Sequence, residues 1–343
     1  MENVVLFGNG LNLLSNKLSW LDLLDKILHK GLEDKDTSVC IPSALPNTLQ
    51  YDFILFNSDS VGKSIVEERQ LNLKKCIAEN VKHFATNDIY KNLGELKVNT
   101  YLTTNYDHTL DESLRQIGYV PDLSKSNKQE KLYNIRRSRA FSKSGDTKII
   151  YPIHGDMDNP KSIVIGYNHY CGTLGKLDAY LKGRAEWEGK PLPKMEERFY
   201  SEDFAVKSWI DHFFFSNVHI LGLGLDFSEI DLWWILDRRK RLIMEGCPIK
   251  NHIIFYDIVK KDVSSCDDKD LSLEELKFKA KYEILAKMDV EKCIYEVGKD
   301  DYYSSYRKAI GNIEKCISND ISTHTNGEIF RVEKYSTLWN QPQ

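Results

Sequence analysis

A chain of 343 residues that is 41% hydrophobic and 29% charged, with only 9 prolines, can bury a large core and is excluded from the disordered class. Its formal charge of −4 gives no overall footprint for nucleic acid and favours a small-molecule ligand. The cysteines, Cys40, Cys76, Cys171, Cys247, Cys266, Cys293 and Cys316, include no Cys-x-x-Cys pair, so they suggest neither a zinc site nor a disulfide framework. The start lacks the basic flank and apolar run of a signal peptide, and no apolar stretch approaches the ~18 residues of a membrane span. A cytoplasmic protein with no membrane partner is expected.

Asn3 to Gly8 has the pattern of a strand buried on both faces of a parallel sheet, and it runs directly into Gly8-Asn9-Gly10. Ser19 and Asp22 form a capping pair for a helix whose Leu21, Leu24 and Leu28 share a face and which Gly31 can stop. Residues 32–95 carry helical patterns such as Ile65 to Phe84, broken by the polar stretch Glu33 to Asn47, and read as a helical insertion. Val98 to Thr103 is the next strand, after which Asp107 caps a helix carrying Leu110, Leu114 and Ile117 and ending near Gly118.

From Ser124 to Ser144 seven Lys and Arg residues face a single acid, Glu130, which reads as a solvated loop, with a partner or polyanion contact as the alternative. Lys148 to His154 and Ser162 to Ile165 read as strands, and residues 175–212 as mainly helical with a break at Gly189 to Pro193. Val218 to Leu221 is another buried strand, followed by Gly222-Leu223-Gly224 and a helix capped by Ser228 and Asp231. Arg238 to Arg241 at its end read as a solvated basic face. His252 to Tyr256 and Lys292 to Val297 are late strands, and Leu273 to Met288 and Tyr302 to Ile317 late helices. This alternation predicts an α/β fold: a doubly wound, Rossmann-like parallel sheet with helical insertions.

In such a sheet ligands bind beyond the strand ends, and both glycine turns, Asn105 with Asp107, and His154 with Gly155 stand at strand ends. Taken singly, each has a plain structural account: a common turn, an N-cap, a satisfied histidine. Neither glycine turn completes the Gly-x-Gly-x-x-Gly spacing, which disfavours an ordinary nicotinamide dehydrogenase.

The order of the motifs is more specific than any one of them. Gly8-Asn9-Gly10-Leu11-Asn12, then Thr103-Thr104-Asn105-Tyr106-Asp107, then His154-Gly155, then the segment from Gly222 to Asp231 resembles the sirtuin pattern over residues 1 to about 260. Ser19-Trp20 with Leu23-Leu24, and Ile163 to Tyr170, resemble the bacterial group further. Asn9 and Asn12 depart from the usual alanine and serine, and the four-cysteine zinc module of the deacetylases has no counterpart here. The resemblance is therefore to the zinc-free, sirtuin-like NAD⁺ hydrolases of bacterial anti-phage defence.

That resemblance implies a catalytic NAD-binding domain over residues 1–320, with insertions at about 32–95 and 175–212, and a tail at 321–343. It implies Asn105 and His154 as catalytic residues, and nucleotide contacts from Gly8, Asn9, Gly10, Leu11, Asn12, Thr104, Asp107, Gly222, Gly224 and Asp231. NAD⁺ would be the substrate, with no metal. Nicotinamide and ADP-ribose, or a cyclic product, would be released. Asn105 would position water or the ribose hydroxyls, Asp107 would bind the carboxamide, and His154 would take a proton. Activation would come from self-assembly or a separate defence partner. Three alternatives remain open from sequence: a nucleotide-binding sensor without chemistry, an abortive infection H protein, and a nucleic-acid-binding protein using residues 124–144 and 238–241.

Overall fold

The computed structural model describes residues 1–31, 40–57, 61–127, 132–201, 205–260, 273–298 and 301–322. The tail from 323 onward, residues 32–39 of the polar break, and Lys128 to Lys131 of the basic stretch lie outside the described residues.

In chain order the strands are β1 Glu2–Phe7, β2 Thr100–Thr103, β3 Val120–Pro121, β4 Arg139–Lys143, β5 Asp146–Pro152, β6 Glu186–Trp187, β7 Lys190–Pro191, β8 Ser216–Leu221, β9 Ile253–Lys260 and β10 Val290–Val297. The helices are α1 Trp20–Gly31, α2 Asn47–Phe56, α3 Lys63–Val81, α4 Asp88–Glu95, α5 Thr109–Gln116, α6 Tyr167–Leu181, α7 Met195–Arg198, α8 His212–Phe215, α9 Ile230–Met244, α10 Leu273–Lys287 and α11 Tyr302–Ser322. No helix among the described residues is long and apolar enough to cross a membrane.

Eight strands make one sheet in the order β10-β9-β8-β1-β2-β5-β4-β3. The six from β10 to β5 pair in parallel, while β4 and β3 add an antiparallel edge. Numbered by appearance, the parallel strands run 3-2-1-4-5-6, the doubly wound order expected of a Rossmann-like sheet. Val4, Val5 and Leu6 are wholly buried because side chains on both faces of β1 meet helices. One face packs on α6, α8 and α9 through residues such as Leu177, Phe213 and Ile235. The opposite face packs on α4, α5 and α11 through Leu93, Leu114 and Ile313. A third cluster joins α1, α2 and α3 beside the strand ends.

Local expectations fare unevenly. Ser19 and Asp22 cap α1 reciprocally, the Asp22 N–H donating to Ser19 Oγ at 3.2 Å and the Ser19 N–H to Asp22 Oδ2 at 3.0 Å. The buried face of α1 is Leu23, Leu24, Ile27 and Leu28, whereas Leu21 is exposed. Residues 163–165 are not a strand: the Val164 N–H donates to the His154 carbonyl at 2.7 Å and its carbonyl accepts from Tyr106 Oη, so no ladder forms. The 175–212 stretch is less helical than expected. Positive φ angles at Glu188 and Gly189 close a tight hairpin between β6 and β7, and only short helices follow.

The basic segments are also not free faces. Residues 139–143 form β4, and Arg139 is largely covered and paired with the buried Asp111 and Asp156. In α9, Arg239 is buried with its Nε donating to Asn251 Oδ1 at 3.1 Å, while Lys240 pairs with Asp289 and Arg241 with Asp237.

Arg198 on α7 and Asp211 before α8 make a wholly buried ion pair at 3.1 Å. Asp211 also accepts from Tyr180 Oη and from the N–H groups of Lys207 and Ser208, which ties the region after α6 to the sheet face. Removing one partner leaves a buried charge uncompensated, at a cost of about 3–5 kcal/mol. Arg198→Ala is therefore expected to lower the unfolding free energy by about that amount, measured by urea titration.

Candidate active site

The strand order reverses between β1 and β8, and both glycine turns leave the sheet there. The Gly8 N–H donates to the Leu221 carbonyl at 3.2 Å, and the Gly10 N–H to the Gly222 carbonyl at 2.8 Å. A Cβ on Gly10 would lie 2.8 Å from the Gly222 oxygen and 2.6 Å from Tyr306 Oη, so glycine is required for the turns to meet. Their first role is thus to hold each other, with the Gly8 and Gly10 donors already taken.

A cavity of about 240 Å³ opens beside them. Asn9, Gly10, Thr104, Asn105, Asp107, His154, Gly222 and Gly224 line it, together with an apolar wall that includes Trp20, Leu23, Val81, Phe84 and Ile165. Four of the sequence-derived candidates do not line it. Gly8 packs under Leu223, and the Leu11 side chain is in the core beneath β1. Asn12 and Asp231 stand behind residues that do.

Asn12 is a buried hub. Its Nδ2 donates to Asp107 Oδ2 at 2.7 Å and to Asn9 Oδ1 at 3.0 Å, and its Oδ1 accepts from Tyr90 Oη at 2.7 Å. Tyr90 Oη in turn accepts a long bond from Asn105 Nδ2 at 3.4 Å. The other Asp107 oxygen accepts from the Thr109 N–H at 2.9 Å, so Asp107 serves the start of α5 from one position before its N-cap, His108.

His154 follows β5, and Gly155 then takes a φ of +103°. A Cβ on Gly155 would come within 2.4 Å of the Ser162 carbonyl oxygen, which fixes glycine beside the histidine. His154 Nε2 lies 2.9 Å from Asp231 Oδ2, and Nδ1 lies 3.9 Å from Glu229 Oε2. Burial disfavours the imidazolium, but Asp231 and Glu229 outweigh it and raise the His154 pKa. Asp231 therefore does not cap α9 with Ser228, which instead donates to Asp226. Burial pushes the Glu229 carboxyl up to about 7, with Asp231 and Asp226 adding to the rise and His154 opposing it.

Sequence reasoning missed Glu229, Tyr170, Asp226 and Tyr90. Tyr170 sets its ring edge-on to His154 at 5.4 Å. The only sequence signal for Glu229 was its place in the late glycine segment, since acids are ordinary at a helix start. Two groups of three potential metal ligands come together among the described residues, His154 with Glu229 and Asp231, and His108 with Asp156 and Asp158. The second is tied to Arg139 and Asp111, and so links the loop after β2 to the loop after β5.

A second hollow adjoins the first across Gly10 and Gly222 to Gly224. Its walls include Lys17, Asp257, Lys260, Tyr302, Tyr303 and Tyr306.

The model of the SIR2-like domain matches residues 99–279, more than half of the chain. The chain belongs to the SIR2-like family. The matched span of this SIR2-like protein contains Asn105, His154 and the Gly222 to Asp231 segment, while the first glycine turn precedes it. The chain is 26% identical over 185 residues to the NAD(+) hydrolase ThsA of Bacillus cereus, covering 53% of this chain and 34% of that protein. It is 28% identical over 171 residues to the protein of the same name from Enterococcus faecium, covering 49% and 31%. The Acinetobacter baumannii protein of that name is 24% identical over 305 residues, covering 87% and 51%. The matched regions thus span about a third to a half of these relatives.

Since the neighbouring carboxylates raise the His154 pKa, Asp231→Asn is expected to bring it down, read by NMR titration of the imidazole. The linkage follows the same sign. The stability contributed by the raised pKa is fully present below the unfolded value near 6.5 and is lost as pH rises through the folded value. The destabilisation caused by Asp231→Asn should accordingly be larger at acid than at alkaline pH.

Proposed function

We propose that this SIR2-like protein hydrolyses the nicotinamide–ribose bond of NAD⁺, releasing nicotinamide and ADP-ribose. The observation that carries this reading is the convergence of Asn105, Asp107, His154 and both glycine turns on one cavity at the reversal of strand order. The shared name of the relatives, NAD(+) hydrolase, points the same way.

Two adjoining hollows suit a dinucleotide. The nicotinamide riboside half would occupy the cavity with Asn105 and His154, and the adenosine half the hollow with Tyr302, Tyr303 and Tyr306. The pyrophosphate would cross beside the glycine turns at Gly224, which faces open space, with Lys17 supplying positive charge. Cleavage develops positive charge on the ribose while the leaving nicotinamide becomes neutral. In this reading Asn105 holds water or ribose hydroxyls, Asp107 meets the carboxamide, and the His154–Asp231 pair is the final proton acceptor. Asp231 fixes which imidazole nitrogen carries hydrogen, and Asn12 holds Asp107 in place.

The biological setting belongs to the same proposal: NAD⁺ depletion in the cytoplasm during anti-phage defence, controlled by homo-oligomerisation or a partner protein. One observation favours a second reading, a binding subunit without chemistry. The His154 side chain is only 3% exposed, and each of its nitrogens faces a carboxylate rather than the open cavity.

Chromatography of NAD⁺ incubated with the protein separates the two readings, because a sensor binds NAD⁺ and releases no nicotinamide. Asn105→Ala and His154→Ala are each expected to cut turnover by ~10²–10⁴-fold with the fold retained, and His154→Ala should also lower the melting temperature because it leaves the buried Asp231 carboxylate without its partner. Normal turnover in His154→Ala would remove the histidine from the mechanism. Asp107→Ala should combine a weaker catalytic loss with a lower melting temperature, since its carboxylate also bonds Asn12 and the first N–H of α5.

A further inference from the structure

The covered position of His154 leaves a gap in any route for the proton. Its Nε2 meets Asp231 Oδ2 at 2.9 Å, and its Nδ1 faces Glu229 Oε2 at 3.9 Å. Glu229, by contrast, lines the cavity and keeps 20% of its side chain exposed. Its Oε2 is enclosed on the histidine side without a hydrogen-bond partner. The carboxylate therefore spans from the cavity to the imidazole. Contacts of this kind are commonly long before substrate binds and tighten in the complex.

We propose that Glu229 is a catalytic residue that accepts the proton of the attacking water and passes it to His154, whose imidazole Asp231 holds in position. This rests on the hydrolase reading. In the step, a water oxygen forms a bond to C1′ of the nicotinamide ribose as the C1′–N1 bond breaks. The electron pair of that bond stays on the nicotinamide nitrogen and neutralises the pyridinium. One water proton goes to Glu229 and on to His154 Nδ1, the other remains on the new anomeric hydroxyl, and one proton per turnover finally reaches solvent. The same carboxylate puts negative charge beside the developing ribosyl cation, which a neutral imidazole cannot do.

The groups facing Glu229 agree with this role. His154 comes from the end of β5, Asp231 from α9, Asp226 from the loop before it, Tyr170 from α6 and Tyr106 from the loop after β2. Burial first, and then the neighbouring Asp231 and Asp226, raise the Glu229 carboxyl to a pKa of about 7, which suits proton transfer near neutral pH.

The test uses the full chain, with nicotinamide release and NAD⁺ binding both measured. Glu229→Gln, nearly identical in shape, should lose about 10²-fold in kcat, with NAD⁺ binding retained. Glu229→Asp should recover part of the rate, and formate should restore turnover to Glu229→Ala. The double variant E229Q/H154Q should be no slower than the slower single variant, as for two groups on one relay. Parent-like turnover in Glu229→Gln overturns the proposal alone. A parent that binds NAD⁺ but releases no nicotinamide overturns the hydrolase reading, and this proposal with it.

Discussion

Parallel pairing of β1 with β2 on one side and β8 on the other is the constraint on which the rest of the molecule depends. The chain leaves β1 and β8 at the same edge of the sheet, and their turns must pass within a hydrogen bond of each other. Residues with a Cβ cannot do so where Gly10 meets Gly222. Helices on both faces bury β1, but none can cover the point where the winding changes direction, and a hollow remains there. Asn105, Asp107 and His154 are brought to that hollow by elements that would be needed to build the sheet in any case.

Much of this was legible because the sheet is built from local rules. Short strand-like runs ending in glycine or a polar residue marked all six parallel strands, and the alternation of elements implied a doubly wound sheet. The pairing of β1 with β8 was legible only through that winding and not from any local pattern, since the two strands are far apart in the chain. Most errors had one physical cause. A charge seen in a sequence reads as solvated, yet Arg239 is buried against Asn251 and Arg139 is largely covered and paired with Asp111 and Asp156. Asp231 is the clearest case. Its spacing from Ser228 matches a capping box, and the structure gives it to a histidine 77 positions away.

The site shows the same division. Asn105, Asp107 and His154 stood at strand ends and could be picked out by position. Glu229 and Tyr170 could not, because nothing in a helix start or a tyrosine announces which cavity it will line. Leu11 and Asn12 illustrate the reverse. They sit within the first glycine motif, yet one fills the core below β1 and the other holds Asn9, Asp107 and Tyr90 together. A motif marks a place in the fold, and only some of its members face the ligand.

The network of His108, Asp111, Arg139 and Asp156 has a consequence for the motion of the site. It joins the segment after β2, which carries Asn105, to the segment after β5, which carries His154. The Met157 N–H adds a bond to the Tyr106 carbonyl at 2.9 Å. A loop that swings away alone gives up its ion pair with Arg139 and the contact between His108 and Asp156, so the opening of each is coupled to that of the other. Amide hydrogens in both loops would exchange with solvent through that shared opening, and the two halves of the catalytic floor would be present together or absent together.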